Sequence, residues 1–218
     1  SFGVGGAEKV VLNYLMYNKS KSMSMKCVSL YSKGNSIYDK QIEEKSLDVV
    51  YLHKKIGFDF NIIKELKFVI SDYDPDVIHT HLYALKYLAL TGEMKNRTIF
   101  HTIHTEPNKD VGRVDRMVNK YFFKNHLVVP ITLQENLAKV VNEYYKINNT
   151  YVIKNGINLQ SYKKNDNMKR KQLGIGNDMF VVGHIGRFSK EKNHQFILKV
   201  FYEIIKVRSN AVLLLIGS

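Results

Sequence analysis

One cysteine in 218 residues, Cys27, rules out an internal disulfide and fits a reducing compartment. Val28 and Leu30 beside it mark a strand position, so the thiol reads as part of a core and not as a nucleophile. Long apolar runs are also missing. No stretch approaches the ~20 residues that a membrane-spanning helix needs, and no signal peptide opens the chain. The sequence therefore reads as cytoplasmic, at most attached to the inner face of a plasma membrane. Acidic residues are scarce, 20 Asp+Glu against 33 Lys+Arg, which gives a formal net charge of +13. That imbalance calls for an acidic partner: nucleic acid, an anionic membrane surface or phosphorylated substrates. The cations form no long single-sign block, so they coat a folded surface. Aromatic and aliphatic residues run through the whole chain, which excludes global disorder. The start in a glycine loop and the stop at Gly217-Ser218 read as those of a piece of a longer protein.

What is present is alternation. Apolar β-branched runs at Met25–Tyr31, Asp48–Leu52, Asp76–His81, Arg97–His101, Leu127–Ile131, Tyr151–Ile153, from Phe180, and at Val212–Ile216 predict strands. Between them, helical spacing predicts helices after Gly6, over Ile37–Lys45, over Phe60–Ile70 (ending before Pro75), and over Leu82–Met94. Further helices follow over Gly112–Lys124, Leu133–Tyr145 and from Phe196 to Val207, the second capped by Thr132 with Glu135 in a capping box. Such alternation argues for an α/β doubly wound fold with parallel sheets. Polar Ser161–Lys171 reads as a connection between domains.

The sequence is organised around Gly183-His-Ile-Gly-Arg-Phe-Ser-Lys-Glu-Lys-Asn193, a turn between a strand and a helix. Arg187, Lys190 and Lys192 stand just before the helix start. A helix N-terminus already favours an anion, and the added cations make a site suited to two phosphates rather than one carboxylate. Arg grips a pair of oxygens in its planar fork, while Lys acts as a mobile point charge. A solvated loop is the bland alternative.

Gly186-Arg187-Phe188-Ser189-Lys190-Glu191-Lys192-Asn193 resembles the segment that opens the second domain of family 4 glycosyltransferases. The resemblance implies a GT-B arrangement of two Rossmann-like domains. Residues 1–158 would form the N-terminal, acceptor-side domain without its first strand, and 159–218 the linker and truncated start of the nucleotide-sugar domain. Arg187 and Lys192 take the positions that hold the donor diphosphate; Lys190 stands where the family varies. Gly5-Gly6-Ala7-Glu8 resembles the family's first glycine loop, which puts Gly5 and Gly6 on the donor phosphates or the acceptor. Thr102-Ile103-His104 resembles the segment whose His contacts the transferred sugar, which makes His104 the catalytic candidate. Glu106 is a second acid–base candidate, without positional support. Lys154-Asn155-Gly156-Ile157-Asn158 matches the end of the first domain with two departures, Lys154 for Pro and Asn158 for Asp. The turn is expected to survive on the left-handed freedom of Asn-Gly.

Asp76-Val-Ile-His-Thr-His81 places His79 and His81 at a strand's carboxyl end. They share one face, but no third ligand of suitable spacing follows, so hydrogen bonding is expected there and no metal. The helix Gly112–Lys124 carries Arg113, Arg116, Lys120 and Lys124 beside aromatic residues, a face fit for anionic lipid or for plain solvation. The resemblance implies a retaining, metal-independent transfer from a UDP- or GDP-linked sugar, with no further cofactor. The acceptor is a saccharide or lipid-linked hydroxyl, as in capsule or exopolysaccharide synthesis. The piece given is expected to be inactive alone. Two alternatives stay open: a nucleotide-sugar epimerase of the same fold, and a non-catalytic basic module for membrane or nucleic acid. The lack of clustered basic-aromatic strands speaks against nucleic acid.

Overall fold

Every strand pairing is parallel among the residues that the computed structural model describes, 2–3, 5–18, 23–159 and 168–217. The chain divides into two units, Ser1–Asn158 and Leu159–Ser218. In the first unit the order is α1 (Gly6–Asn18), β1 (Cys27–Ser29), α2 (Ile37–Glu44), β2 (Val49–Tyr51), α3 (Asn61–Tyr73) and β3 (Val77–His81). Then come α4 (Ala84–Thr91), β4 (Thr98–Ile103), α5 (Pro107–Asp110), α6 (Arg113–Lys124), β5 (Val129–Thr132), α7 (Glu135–Tyr145) and β6 (Tyr151–Val152). β1 pairs with β2, and β3-β4-β5-β6 form a four-stranded sheet in sequence order. Parallel strands need helical crossovers, which the intervening helices supply.

Local chemistry sets the helix limits. At α2 the Ser36 hydroxyl accepts the Asp39 N–H (3.0 Å) and the Asp39 carboxylate accepts the Ser36 N–H (3.2 Å), a reciprocal cap. α3 buries Ile62, Leu66 and Ile70, one residue per turn, and stops at left-handed Asp74 before Pro75. The main core gathers these with Leu85, Leu88, Ile99, Ile103, Phe123, Val128, Val141 and Tyr145. Burying a side chain of this size contributes about 1.5–3 kcal/mol. The helices around β3 to β6 thus carry most of the described core, since among the described residues the second cluster holds Phe2, Leu12 and Ile42 as its buried apolar residues. Cys27 belongs with the second cluster as a free thiol; burial, helped by Asp48, pushes its pKa up to about 12, so it stays protonated.

The second unit holds α8 (Met168–Gln172), β7 (Phe180–Ile185), a 3-10 turn at Lys190–Lys192, α9 (His194–Val207) and β8 (Ala211–Ile216). β7 and β8 pair parallel over their whole length. The buried strand expected from Phe180 is instead only half covered, because α9 packs on a two-stranded sheet and leaves Phe180 and Ile185 exposed.

Several expectations need correction. Thr132 does not cap α7: it is the last residue of β5, fully buried, and its hydroxyl donates weakly to the Gln134 and Tyr151 carbonyls (3.5 Å). Gln134 is the N-cap, without a side-chain bond. The strand expected to end at His101 runs to Ile103, because Thr102 and Ile103 keep pairing with Ile131 and Thr132. The helix expected over Leu82–Met94 is shorter, since Leu82 takes a left-handed φ of 54° and Gly92 ends the helix at 77°. Gly183, His184 and Ile185 belong to β7, so the turn proper starts at Gly186. Neither Asn155 nor Gly156 adopts a positive φ, so that turn does not use left-handed freedom. The connection expected at Ser161–Lys171 lies outside the described residues up to 167, and its last residues are helical in α8.

Candidate functional site

The first unit gathers four histidines where β3 and β4 run side by side. The register pairs His79 with Phe100 and His81 with Thr102. Side chains alternate along a strand, so 79, 81, 102 and 104 share one face while Thr80 and His101 share the other. On the first face His79 Nε2 meets Thr102 Oγ1 at 2.7 Å, and His81 Nδ1 meets His104 Nε2 at 3.0 Å. Both are diagonal contacts, two residues along the neighbouring strand. Tyr14 of α1 stacks on His79 with ring centres 6.3 Å apart. On the opposite face His101 is fully buried, its Nδ1 2.8 Å from Thr80 Oγ1 and its ring against Phe123. It is a core histidine held by a hydroxyl and not by backbone.

Burial drives the pKa of His81, His101 and His104 down, His101 to about 3, and the neighbouring imidazoles add to the first two. All three are neutral at pH 7. Between two neutral rings one N–H donates, so the His81–His104 contact ties the tautomers of the two rings together. The half-buried His104 leaves its other nitrogen as a donor or an acceptor, according to that tautomer, past the strand end. The loop is fastened from beneath: the His104 N–H donates to Asp110 Oδ1 at 3.3 Å and the Thr105 hydroxyl to the same oxygen at 3.5 Å. Glu106 is turned to an ion pair with Lys109 at 3.0 Å. The His79 and His81 nitrogens named above are engaged within the cluster, and among the described residues no group of three or more His, Cys, Asp or Glu stands together for a metal.

Gly5 and Gly6 sit where α1 begins, and the Lys9 N–H reaches the Gly5 carbonyl at 3.1 Å. A Cβ on Gly5 would run into the Glu8 carboxylate, while Gly6 has open space. Glu8 thus lays its own anion over this helix start, and an incoming phosphate has to displace it.

In the second unit the turn after β7 is built from backbone. The Gly186 N–H donates to the Ile216 carbonyl (2.9 Å), and the chain curls through Lys190–Lys192 to Asn193. Asn193 takes a left-handed φ of 46° and caps α9, its side chain accepting the Phe196 N–H at 3.4 Å. The Phe188 ring stacks on His194, which meets His184 edge-on at 5.1 Å, and this pins the turn to the strand. The Lys192 stem passes over Gly186, where a Cβ would approach its Cδ and Cε to 3.3 Å. Arg187 and Lys192 are both exposed, and no ion pair within 4 Å holds either among the described residues. Glu191 beside them has its carboxyl held below the usual range, first by the Ser189 hydroxyl, then by its own backbone N–H, and less by the two cations. The strand ends meet at two glycines: a Cβ on Gly217 would strike the Gly186 carbonyl. Gly217→Ala is therefore expected to lower stability by about 1–3 kcal/mol, whereas Gly156→Ala, with nothing within 4 Å, leaves it unchanged. Denaturant melts of the two variants check this.

Sequence reasoning missed His81 as the partner of His104, and Asp110 as its anchor. The first was available from register, since adjacent parallel strands ending in His-Thr-His and His-Thr-Ile-His bring these rings together. The second had a weaker signal, Pro107 at the first position of a short helix whose last residue is Asp110.

The fold has known counterparts. An uncharacterized glycosyltransferase of Methanocaldococcus jannaschii is 23% identical over 221 residues, covering 91% of this chain; the chain spans 53% of that relative's length. A crystal structure of Anabaena HepE in complex with UDP-glucose superposes with a TM-score of 0.68 at 17% identity, covering 100% of this chain and 67% of that one. A UDP-N-acetylglucosamine 2-epimerase from Rickettsia bellii gives 0.52 at 14% identity, covering 97% and 60%. These likenesses give the fold: parallel α/β with GT-B glycosyltransferase neighbours. The description of Glycosyltransferase Family 4 matches residues 4–161, well over half of the 218 residues, and the chain belongs to that family.

Proposed function

We propose that this chain belongs to an enzyme that moves a sugar from a UDP- or GDP-linked donor to an acceptor hydroxyl with retention, in the synthesis of a cell-surface polysaccharide. The observation that carries the reading is the turn Gly186–Asn193, which sets exposed Arg187 and Lys192 at the start of α9. As the bond to the donor sugar stretches, negative charge grows on the diphosphate while the sugar takes on oxocarbenium character. Arg187, Lys192 and the helix N-terminus meet that charge without a metal. Gly5 and Gly6, in the first unit, take a phosphate only once Glu8 has moved aside. The departing phosphate takes the acceptor proton, and no protein carboxylate acts as nucleophile. Neutral His104, oriented by His81, holds a hydroxyl of the transferred sugar.

Labelled nucleotide-sugar incubated with the enzyme tests the reading: a labelled glycoside supports it, and a free epimerised nucleotide-sugar means an epimerase. His104→Ala is expected to lower kcat by about 10²-fold with little change in donor Kd; unchanged turnover removes His104 from the site.

The partner surface for a lipid-linked acceptor is the outward side of α6. Val114, Met117 and Tyr121 are 65%, 67% and 60% exposed there. Arg113, Lys120 and Lys124 flank them, also exposed, while Asp115, Asn119 and Phe123 face inward. An apolar stripe edged by cations suits an anionic headgroup layer. Vesicles with phosphatidylglycerol are expected to sediment the protein and neutral vesicles not to; equal recovery in both rules the surface out. Among the described residues no helix is long and apolar enough to cross a membrane.

A further inference from the structure

Two imidazoles of the second unit meet beneath the turn that follows β7. His184 is next to last in β7, and His194 opens α9. Their rings stand perpendicular, with centres 5.1 Å apart. The Nε2 atom of each is shut off from solvent, and neither has a hydrogen-bond partner among the described residues. A ring edge laid on a ring face packs well but offers an N–H only a weak acceptor. A polar atom closed away from water without a partner is costly, so its place calls for a reason.

The two nitrogens differ in their surroundings. His194 is taken up by rings, since Phe188 stacks on it with centres 4.8 Å apart. His184 Nε2 instead borders Gly186. Residues two apart along a strand share a face, so His184 lies on the side where Gly186 has no side chain. A Cβ on Gly186 would come within 3.2 Å of His184 Nε2 and within 3.3 Å of Cδ and Cε of Lys192. The nitrogen and the Lys192 stem therefore border one space about the size of a methyl group. Gly186 has no positive φ, so its backbone does not demand glycine. The room does.

Of the groups around that space, the Lys192 stem is the one free to move, because the side chain is exposed and flexible. Extended toward a ligand, it leaves a space bordered by its own ammonium and by His184 Nε2, with Arg187 next in the chain. Two cations and an imidazole call for an anionic acceptor. An oxyanion only accepts, so it selects the ring form that carries a proton on Nε2.

We propose that His184 is a further donor to the ligand of this turn: when Lys192 swings out to a phosphate oxygen, the Nε2–H of His184 donates to the same phosphate. The choice of phosphate rests on the reading of the turn as a diphosphate site; the added residue and the movement of Lys192 are new to it.

Nitrogen-15 NMR of the histidine side chains in the enzyme tests this through titrations with UDP, GDP and inorganic pyrophosphate. The His184 Nε2 signal, assigned by its loss in His184→Gln, is expected to move to the protonated, hydrogen-bonded range in step with saturation. Calorimetric titration gives the size of the contact. His184→Leu, similar in bulk but without a donor, weakens binding by about 10- to 100-fold. His184→Gln, whose amide offers an N–H, recovers part of the loss. Either of two results overturns the proposal: an Nε2 signal unmoved at saturation, or equal affinity in the unaltered enzyme and His184→Leu. UDP or GDP bound with the signal unmoved refutes the role of His184 and leaves the diphosphate reading of the nucleotide standing. Pyrophosphate bound with the signal moved, while neither nucleotide binds, does the reverse. Binding of none of the three refutes both.

Discussion

Arg187→Ala lowers kcat/KM for the nucleotide-sugar by about 10²–10³-fold, the scale on which a single well-placed charge stabiliser acts in a transition state. The melting temperature is expected to stay put, because Arg187 is exposed and no ion pair holds it among the described residues, and surface changes of that kind stay within about 0.5 kcal/mol. The chemistry predicts a graded series. Arg187→Lys keeps the charge but loses the planar fork and recovers only part of the rate. Lys192→Ala costs less than Arg187→Ala, since a point charge on a flexible stem makes one contact where the fork makes two. Steady-state kinetics on the three variants checks the order. A full rate with Arg187→Ala would falsify the assignment of the turn to phosphate.

Acid destabilises the first unit. The folded-state pKa of His101 lies at about 3, below the ordinary 6.5, because burial penalises the charged ring and His79 and His104 add to that. The unfolded chain therefore binds the proton first as pH falls, so the contribution is fully present above 6.5 and is lost progressively from there down to about 3. Each unit of pH inside that window removes about 1.4 kcal/mol, so moving from 6.5 to 5 costs roughly 2 kcal/mol through His101 alone. His81 acts in the same direction. Calorimetric melts at pH 7.5 and pH 5 check this. His101→Asn, which keeps a partner for Thr80 but cannot titrate, lowers the starting stability and flattens the pH slope. Equal slopes in both proteins contradict the account.

The fold was legible because the periods were clean. Ile62, Leu66 and Ile70 recur once per helical turn, and Phe180 to Ile185 and Ala211 to Ile216 are runs of strand formers that pair end to end. Element ends were less legible. Thr132 carries the residue type of a helix cap and Glu135 the right spacing, but β5 needs Thr132 for pairing, and tertiary pairing outranks the local signal. The glycine loop and the turn into α9 were visible since each is local, six to eleven consecutive residues. Glu8 folding over Gly5 was not, because nothing in Gly-Gly-Ala-Glu says which way the carboxylate turns.

The claim on which the account turns is that Arg187 and Lys192, at the start of α9, hold a diphosphate. Calorimetric titration of UDP and GDP into the enzyme and into its Arg187→Ala/Lys192→Ala double variant tests it most directly. The account predicts that one nucleotide binds the unaltered enzyme and that the double variant binds it at least about 10²-fold more weakly, with an unchanged melt. Equal affinity in the two proteins, or binding of neither nucleotide to the unaltered enzyme, contradicts it.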